Sequence, residues 1–307
     1  VGADGAASTL AEQAGLVDPR RVLWGFAVRS YVDQTVELPT IVTWEPVPGR
    51  ALCGYGWIFP GPGGRANMGL GVGTLSDRRA GASAVRLFDR FSDHLKALGL
   101  LSAETSPERQ RLGGWLKMGM VGTLPTGDGV MLVGDAAGLV NPLQGEGIAH
   151  AMTSARAAAE AILAGPADAA VAYRLALRSA HLRYHRVSAT AQAVVLSRPR
   201  ALSAACRAIT LPWIGDRLAE GWAVFWNELF EGAPPGRARR SAAIAATLGS
   251  MVTSKGATAR WFDGALGAGL LASVDSGTES SHRTFRPPGD PGDQAGAGSR
   301  RSTPSVA

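Results

Sequence analysis

The chain has 307 residues, of which 46% are apolar and 18% charged, a length and composition typical of a globular protein with a sizeable core. Its net charge is +6, yet Arg outnumbers Lys by 28 to 3 and no basic run with interleaved aromatic residues occurs, which argues against nucleic-acid binding. The charge favours weak contact with an anionic membrane surface instead. Two cysteines without a CxxC spacing and no apolar run of 18 residues indicate a cytoplasmic protein, peripheral to the inner face of the membrane at most.

The chain opens on VGADGAAS, which has the pattern of a strand end that turns sharply through Asp4-Gly5. Because no sequence before Val1 supplies neighbouring strands, we interpret the chain as an N-terminally truncated product.

Alternation of apolar and polar residues predicts a strand over 21–32, and three further strands follow between Pro/Gly-rich turns, at 36–45, 53–59 and 64–73. The last of them has glycines at alternate positions, which leaves room on one face for a flat or bulky group. A crowded sheet contact is the alternative. An apolar stripe then predicts a helix over 80–98.

The third predicted strand contains Tyr55, Trp57 and Phe59 at alternate positions, so that the three rings project from one face. Aromatic rings in register suit a wall for an apolar ligand, and Tyr55 adds a hydroxyl group. Core packing of the rings remains the alternative.

Residues 114–121 and 130–134 have the pattern of strands, and the second strand begins a longer motif, VMLVGDAAGLVNPLQGEGIAHAM. The strand ends at Gly134-Asp135, a small-residue turn and a glycine loop follow, and an Ala-rich helix runs from Ile148 to Leu163. An Asp can accept hydroxyl groups, glycines admit bare backbone, and a helix start offers N–H groups to an anion. An ordinary strand–turn–helix corner is the alternative.

This motif resembles the second FAD-binding motif of flavoprotein oxidoreductases of the p-hydroxybenzoate hydroxylase and geranylgeranyl reductase type. The string YGWIFP at 55–60 resembles the YxWxFP signature of geranylgeranyl reductases. The resemblance runs from residue 1 to about 165 and implies a mixed α/β fold, with an incomplete Rossmann-like FAD-binding domain, an inserted antiparallel-sheet substrate domain and a helical C-terminal region.

The resemblance implies that FAD is the cofactor and that its N5 atom carries the hydride, so no catalytic side chain is predicted. NAD(P)H is the expected electron donor and a prenyl lipid the expected substrate, with Tyr55, Trp57 and Phe59 lining its pocket. The expected cofactor-binding residues are Asp4, Gly5, Gly134, Asp135, Gly138, Pro142, Gly145, Glu146, Gly147 and Ile148.

The predicted organisation has four parts. Residues 1–20 and 110–165 form the FAD-binding part, 21–109 the substrate domain, and 166–275 a helical region with segments near 168–195, 199–209, 213–230 and 237–253. Residues 276–307 are nearly free of apolar residues and are predicted to be disordered.

No metal site is predicted. His181 and His185 are four residues apart, a spacing that can bind a metal, but the interleaved Arg183 and Arg186 favour an exposed basic helix face. His150 is expected to be solvated on its helix.

The predicted function is reduction of C=C bonds in an isoprenoid chain. An aromatic monooxygenase that uses NAD(P)H and oxygen, and a non-catalytic remnant, are the alternatives. Because a GxGxxG unit is missing from these residues, we expect this chain alone to bind FAD weakly or not at all.

Overall fold

A computed structural model describes residues 1–43, 54–75, 81–165, 167–192, 198–229 and 236–253. The tail predicted to be disordered, 276–307, lies outside these residues, as do 44–53 of the second predicted strand and its turn. Within the described part, no helix is both long and apolar enough to cross a membrane.

The largest sheet has five antiparallel strands in the order β2-β3-β4-β1-β5. The strands are β1 (Leu23–Val32), β2 (Thr40–Thr43), β3 (Gly54–Pro60), β4 (Ala66–Leu75) and β5 (Leu112–Met118). The first four lie where the alternation of the sequence predicts them. The mixed α/β fold with an antiparallel sheet is therefore confirmed.

Helix α2 (Gly81–Ala97) covers one face of this sheet. Its Phe88, Phe91 and Leu95 are fully or almost fully buried against apolar residues of β1, β3 and β4, whereas Leu98 at the end of the predicted stripe is exposed. Gly56 of β3 lies directly against the Phe91 ring, which leaves no space for a side chain there. The helix therefore fixes which face of the sheet remains open.

The opposite face of the sheet contains the alternate glycines of β4. Gly69 pairs with Trp57 across the strands and lies under its indole ring, while the Trp57 Nε1 group donates to Asn67 Oδ1 at 3.0 Å. By contrast, a Cβ atom at Gly71 would meet nothing closer than the Phe26 carbonyl oxygen at 4.0 Å. One glycine thus accommodates a ring, and the next leaves open space.

The sequence pattern assigns the strands at 114–121 and 130–134 to the FAD-binding part, and this domain assignment stays a prediction. Leu112–Met118 pairs with β1 and forms an edge of the antiparallel sheet. A short apolar strand does not specify its partner, so the sequence pattern alone could not predict this pairing. The end of β5 nonetheless reaches the cofactor segment, because Met118 forms a parallel bridge with Val140.

The segment that leads to Asp4-Gly5 and the segment that leads to Gly134-Asp135 lie side by side. Gly2 forms a parallel bridge with Leu132, just after β7 (Val130–Met131), which pairs with β6 (Thr126–Gly127). The short helix α1 (Thr9–Gln13) follows Gly2, and α3 (Ile148–Ala164) follows the glycine loop as predicted. The chain therefore leaves both parallel segments at the same edge, where α/β folds place their ligands.

Between residues 167 and 253, the described part of the C-terminal region is largely helical, as predicted, whereas 254–275 lie outside the described residues. Helices α4 (Ala169–Leu177) and α5 (Arg183–Thr190) are joined by a π-helical segment, Arg178–Leu182. Helices α6 (Pro199–Ile209), α7 (Gly215–Trp226) and α8 (Arg237–Thr253) follow. Helices α5 to α8 share a small core centred on Tyr184, Phe225 and Trp226. The glycine loop at residues 141–147, called the cofactor loop because its motif resembles an FAD-binding one, contributes Leu143 to this core.

The variant Gly69→Ala tests the contact between β4 and the indole ring. The added methyl group would overlap Trp57, so we expect the free energy of unfolding to fall by about 1–3 kcal/mol. Chemical denaturation measures the change. Gly114→Ala in β5 is the matched control, because its methyl group enters open space. Equal stability of the two variants would contradict the packing described.

Candidate functional site

A cleft of about 490 Å³ lies between the open face of the sheet, the loop after Asn141, and helices α6 and α7. Gly71 and Gly73 contribute to its floor, and apolar side chains form most of its walls. Its size is that of a site for a drug-sized or larger organic molecule. The principal wall residues are Tyr55, Trp57, Leu116, Met118, Leu143, Leu202, Ile209, Trp222 and Trp226.

The three aromatic residues of β3 lie in a row, as predicted from their alternation. The Tyr55 and Trp57 ring centroids are 5.8 Å apart, and Trp57 and Phe59 stack at 6.2 Å. Tyr55 and Trp57 line the cleft, and Tyr55 also meets Trp226 of α7 edge-on at 5.3 Å. Phe59 lies at the far end of the row, outside the cleft lining.

The Tyr55 hydroxyl group connects the sheet to the cofactor loop, because it donates to the Gln144 carbonyl oxygen. Burial raises the pKa of Tyr55 to about 12, so the phenol stays protonated and remains a donor at neutral pH. The next residue of the loop, Gly145, has a φ of 75°, which favours glycine, and it lines the cleft. This contact holds the loop at one end of the cleft.

Asp135 lies in the turn that follows the parallel segment, between Gly134 and Gly138, which both have left-handed backbone angles. Burial raises the pKa of its carboxyl group; Lys117 and His150 oppose that shift by attraction, while Glu146 adds to it by repulsion. Among the described residues, no hydrogen bond reaches this carboxylate. It is therefore a half-buried acceptor that can take hydroxyl groups of a ligand.

Lys117 was not identified from the sequence. Its side chain is fully buried beneath the Asp135 turn and donates from Nζ to the Ala136 carbonyl oxygen at 3.3 Å. It is one of only three lysines in an Arg-rich chain, which is the signal that could have singled it out. It places a buried positive charge next to the acceptor.

The start of α3 is less open than the sequence suggests. Gly147 is its N-cap and supplies no side chain, but Glu146 Oε1 accepts the Ala149 N–H at 2.7 Å. A Cβ atom at Gly147 would lie 3.1 Å from both Asp135 Oδ1 and Val140 Cγ2, so the loop is packed tightly there. Ile148 is exposed at this end of the helix. One of the N–H groups that the helix start was expected to offer to an anion is therefore already bonded to Glu146.

Asp4 has local partners. Its carboxylate accepts the Ser8 hydroxyl at 2.5 Å and the Leu10 N–H at 3.2 Å, and the Ser8 hydrogen bond lowers its pKa. Gly5 has a φ of 79°, which the turn requires. The structure therefore gives both residues a role at the start of α1, and their contact with FAD remains a prediction.

The expectation that His150, His181 and His185 are solvated is wrong. His150 and His185 are buried, and the His181 side chain is only 11% exposed. His150 Nε2 lies 2.9 Å from Glu228 Oε2, and its Nδ1 lies 3.1 Å from Glu146 Oε2. Glu228 is not recognisable from the sequence, because nothing local links it to histidines that lie about 40 and 80 positions earlier.

The charges in this group oppose one another. Burial disfavours the charged form of His150, but Glu228 and Glu146 outweigh this and raise its pKa, whereas burial lowers that of His185 to about 3. Burial works against the Glu228 carboxylate too, but the hydrogen bond from His150 and the nearby imidazole of His181 prevail and lower its pKa to about 2. The group therefore combines an ionised carboxylate with imidazoles of different basicity.

The residues around the Asp135 turn fit a flavin nucleotide. The Asp135 carboxylate accepts no hydrogen bond within the described residues, Gly145 exposes its backbone to the cleft, and Ile148 presents an exposed apolar surface. The cleft begins at the same loop, since Pro142, Gln144 and Gly145 line it. A ligand bound along the loop would lie next to one bound in the cleft.

Comparison with known proteins identifies relatives, although no family model matches the chain. The menaquinone reductase of Mycolicibacterium smegmatis is 34% identical over 225 residues, which make up 70% of this chain and 54% of that protein. Digeranylgeranylglycerophospholipid reductase 2 of Methanopyrus kandleri is 33% identical over 166 residues, or 52% of this chain and 40% of that protein. A solved geranylgeranyl bacteriochlorophyll reductase-like structure from Thermoplasma acidophilum is 21% identical, with a TM-score of 0.45, and covers 67% of this chain and 55% of that one.

The chain thus spans about half of the first of these sequence relatives and less of the second. The first relative is named for the reduction of menaquinone and the second for that of a digeranylgeranylglycerophospholipid. These relatives confirm the resemblance to geranylgeranyl reductases that the Gly134-Asp135 motif and the string YGWIFP indicate. The aromatic monooxygenase alternative is not favoured.

The variant Asp135→Asn tests the electrostatic description of the turn. A folded-state pKa above the ordinary value of 3.8 means that the folded chain binds this proton more tightly than the unfolded chain. The stabilising contribution of the protonated carboxyl is present at acid pH and is lost as the pH rises through the folded-state pKa. Asp135→Asn should therefore raise the melting temperature of the flavin-free protein at neutral pH, with a gain that shrinks as the pH falls towards 3.8.

Melting curves over a pH series measure this gain, with Asp93→Asn on the exposed side of α2 as the matched control. A loss of stability in Asp135→Asn at neutral pH, or a gain independent of pH, would contradict the assignment.

Proposed function

We propose that this chain contributes the substrate cleft and part of the FAD site of a reductase that saturates C=C bonds in the prenyl chain of a lipid. The observation that carries the proposal is the apolar cleft over Gly71 and Gly73, which begins at the loop where the motif resembles an FAD-binding one. The names of the sequence relatives support the same substrate class. The reaction class would be that of an oxidoreductase acting on CH–CH groups.

The chemistry requires a hydride donor and a proton. Reduced FAD would supply the hydride to one carbon of the C=C bond while a proton joins the other, and NAD(P)H would restore the reduced flavin. Every other contribution falls to the chain itself, which binds the two ligands, orients them against each other and excludes water from the space between them.

The residues of the turn and loop would hold the cofactor. Asp135 would accept hydroxyl groups of the ribityl or ribose part, and buried Lys117 would help to keep its carboxylate ionised. The backbone of residues 145–148 would lie against the ring system. Because Tyr55 fixes the Gln144 carbonyl, the strand that lines the substrate cleft also sets the position of this loop. The remaining expected cofactor residues, Asp4, Gly5, Gly134, Gly138, Pro142 and Glu146, stay predictions.

The walls of the cleft suit an isoprenoid chain. Trp57 and Trp226 supply flat apolar surfaces on either side of Tyr55, and Leu116 and Met118 of β5 supply flexible apolar contacts. A prenyl chain is long and flat at each double bond, so it can pass over a floor that lacks side chains at Gly71 and Gly73.

We also propose that the turn between α6 and α7 touches an anionic membrane surface. This turn exposes Leu211, Trp213 and Ile214, and it adjoins Ile209, which lines the cleft and is itself exposed. Exposed Arg207 and Arg217 flank it and would be drawn to anionic headgroups. A lipid could then enter the cleft without crossing water.

Anaerobic reduction of the complete natural gene product, loaded with FAD and then mixed with a prenyl lipid, tests the proposed reaction. Reoxidation of the flavin together with a product two hydrogens heavier is the expected result. Failure of both, or oxygen consumption coupled to hydroxylation of an aromatic compound, would contradict the proposal.

The variant Gly71→Leu tests the position of the prenyl chain. Its side chain would fill the floor of the cleft, so lipid reduction should fall about 100-fold while flavin binding and folding remain. Gly114→Leu is the matched control, because its side chain enters open space on β5. Steady-state rates with the prenyl lipid measure the difference. Equal rates in the two variants would place the substrate elsewhere.

The variant Trp213→Ala tests the membrane contact. Loss of one large exposed apolar side chain should weaken binding to vesicles that contain phosphatidylglycerol by about tenfold. Leu163→Ala, at another strongly exposed apolar residue outside the cleft lining, is the control. Vesicle sedimentation gives the affinities. Unchanged binding of Trp213→Ala, or an equal loss in the control, would contradict the assignment of this turn.

A further inference from the structure

Four side chains that can bind metals converge behind the cofactor loop. His150 comes from the first turn of α3, His181 from the π-helical segment, His185 from α5, and Glu228 from just after α7. One ligand atom from each lies within 4.8 Å of the others. These residues, called the His3Glu cluster below, thus join parts of the chain that are remote in sequence.

The cluster is enclosed, and its polar atoms are incompletely satisfied. His185 is fully buried, and within the described residues neither of its ring nitrogens has a hydrogen-bond partner. The same is true of His181 Nδ1, whose nearest carboxylate oxygen, Oε1 of Glu228, is 3.9 Å away. Buried polar groups in folded proteins almost always have partners, so three open nitrogens at one point call for a further ligand.

An outer carboxylate orients the cluster. Glu146 Oε2 lies 3.1 Å from His150 Nδ1, while His150 Nε2 faces Glu228. With the proton on Nδ1 donated to Glu146, the Nε2 lone pair points into the cluster. A carboxylate behind a ligating histidine is the usual arrangement around protein-bound zinc, because it fixes the ring and raises its basicity.

The backbone around the cluster is also unusual. The π-helical segment Arg178–Leu182 interrupts the regular helix at His181, and such segments occur frequently at functional sites. Glu228 has a φ of 54°, one of two non-glycine residues with positive φ in the described part of the chain. Residues held in this region often position a functional group. Two separate backbone irregularities therefore direct side chains to the same point.

We propose that His150, His181, His185 and Glu228 bind one divalent transition-metal ion, with zinc as the best match. Three imidazole nitrogens and one carboxylate oxygen suit zinc, whereas magnesium and calcium prefer oxygen ligands. Zinc requires ligands at about 2.0–2.2 Å, so the side chains must draw together from their present spacing. With four protein ligands the site would be closed, and its role would be structural.

The consequence for the rest of the molecule follows from Glu146. The same carboxylate group accepts the Ala149 N–H through Oε1 and contacts His150 through Oε2. Metal bound to His150 would therefore fix the end of the loop 145–148, as well as hold α3, α5 and α7 together. This proposal does not depend on the reaction catalysed.

Zinc titration of the metal-stripped, flavin-free full chain against a competing chelator tests the proposal. We expect one equivalent to bind and to raise the melting temperature. His181→Gln and Glu228→Gln should each abolish this binding, and Glu146→Gln should weaken it about 10–100-fold. X-ray absorption should show three nitrogens and one oxygen at about 2.0–2.2 Å.

The chain has five histidines, so the double variant His94→Gln, His282→Gln controls for the two outside the cluster. Its zinc affinity should equal that of the unmodified chain. Circular dichroism establishes that each variant is folded, and His181→Gln, at the least buried of the three histidines, provides a variant with little packing change. Zinc affinity unchanged in folded His181→Gln and Glu228→Gln, or lost in the double control, would overturn the proposal and leave a purely hydrogen-bonded cluster.

Discussion

The absence of side chains at Gly71 and Gly73 is the constraint on which the site depends. On β4, the buried Met68 and Leu70 pack under α2, and the alternate glycines leave the other face of the sheet open. Helices α6 and α7 cover that face, but a space remains between them and the sheet because the glycines have no side chains to fill it. The cleft therefore exists because alternate residues of β4 face it and those residues are glycines. Gly69 gives the contrast, since the Trp57 ring fills the space above it.

A sequence of polar contacts connects this cleft to the rest of the molecule. The Tyr55 hydroxyl holds the Gln144 carbonyl, Glu146 caps α3, and the same Glu146 contacts His150. Displacement of the loop would break a partly buried hydrogen bond at one end and the contact between Glu146 and His150 at the other. The cleft, the loop at residues 141–147 and the His3Glu cluster are thus connected by a continuous set of contacts.

Local patterns predicted much of this structure. Alternation placed β1 and β4, and the motif at 130–152 predicted the turn at Asp135 and helix α3 to within a residue. What failed depends on distant partners. Nothing in the strand at 112–118 says that it pairs with β1, and nothing near His181 says that Glu228 and His150 bury it. His181 and His185 alternate with arginines, a pattern that is typical of a solvent-exposed helix face. Packing against other helices buries these histidines, and the local sequence does not show that packing.

Photo-crosslinking with a diazirine-bearing geranylgeranyl lipid is the most direct test of the central claim that the glycine-floored cleft receives the prenyl chain. The complete natural gene product, loaded with FAD, would be irradiated with this probe, and the labelled peptides would be mapped by mass spectrometry. Label is expected on β3, on β5 and on α6, at residues that line the cleft, and unlabelled prenyl lipid should compete with it. Label confined to α2 or α4, or label that unlabelled lipid does not displace, would contradict this claim.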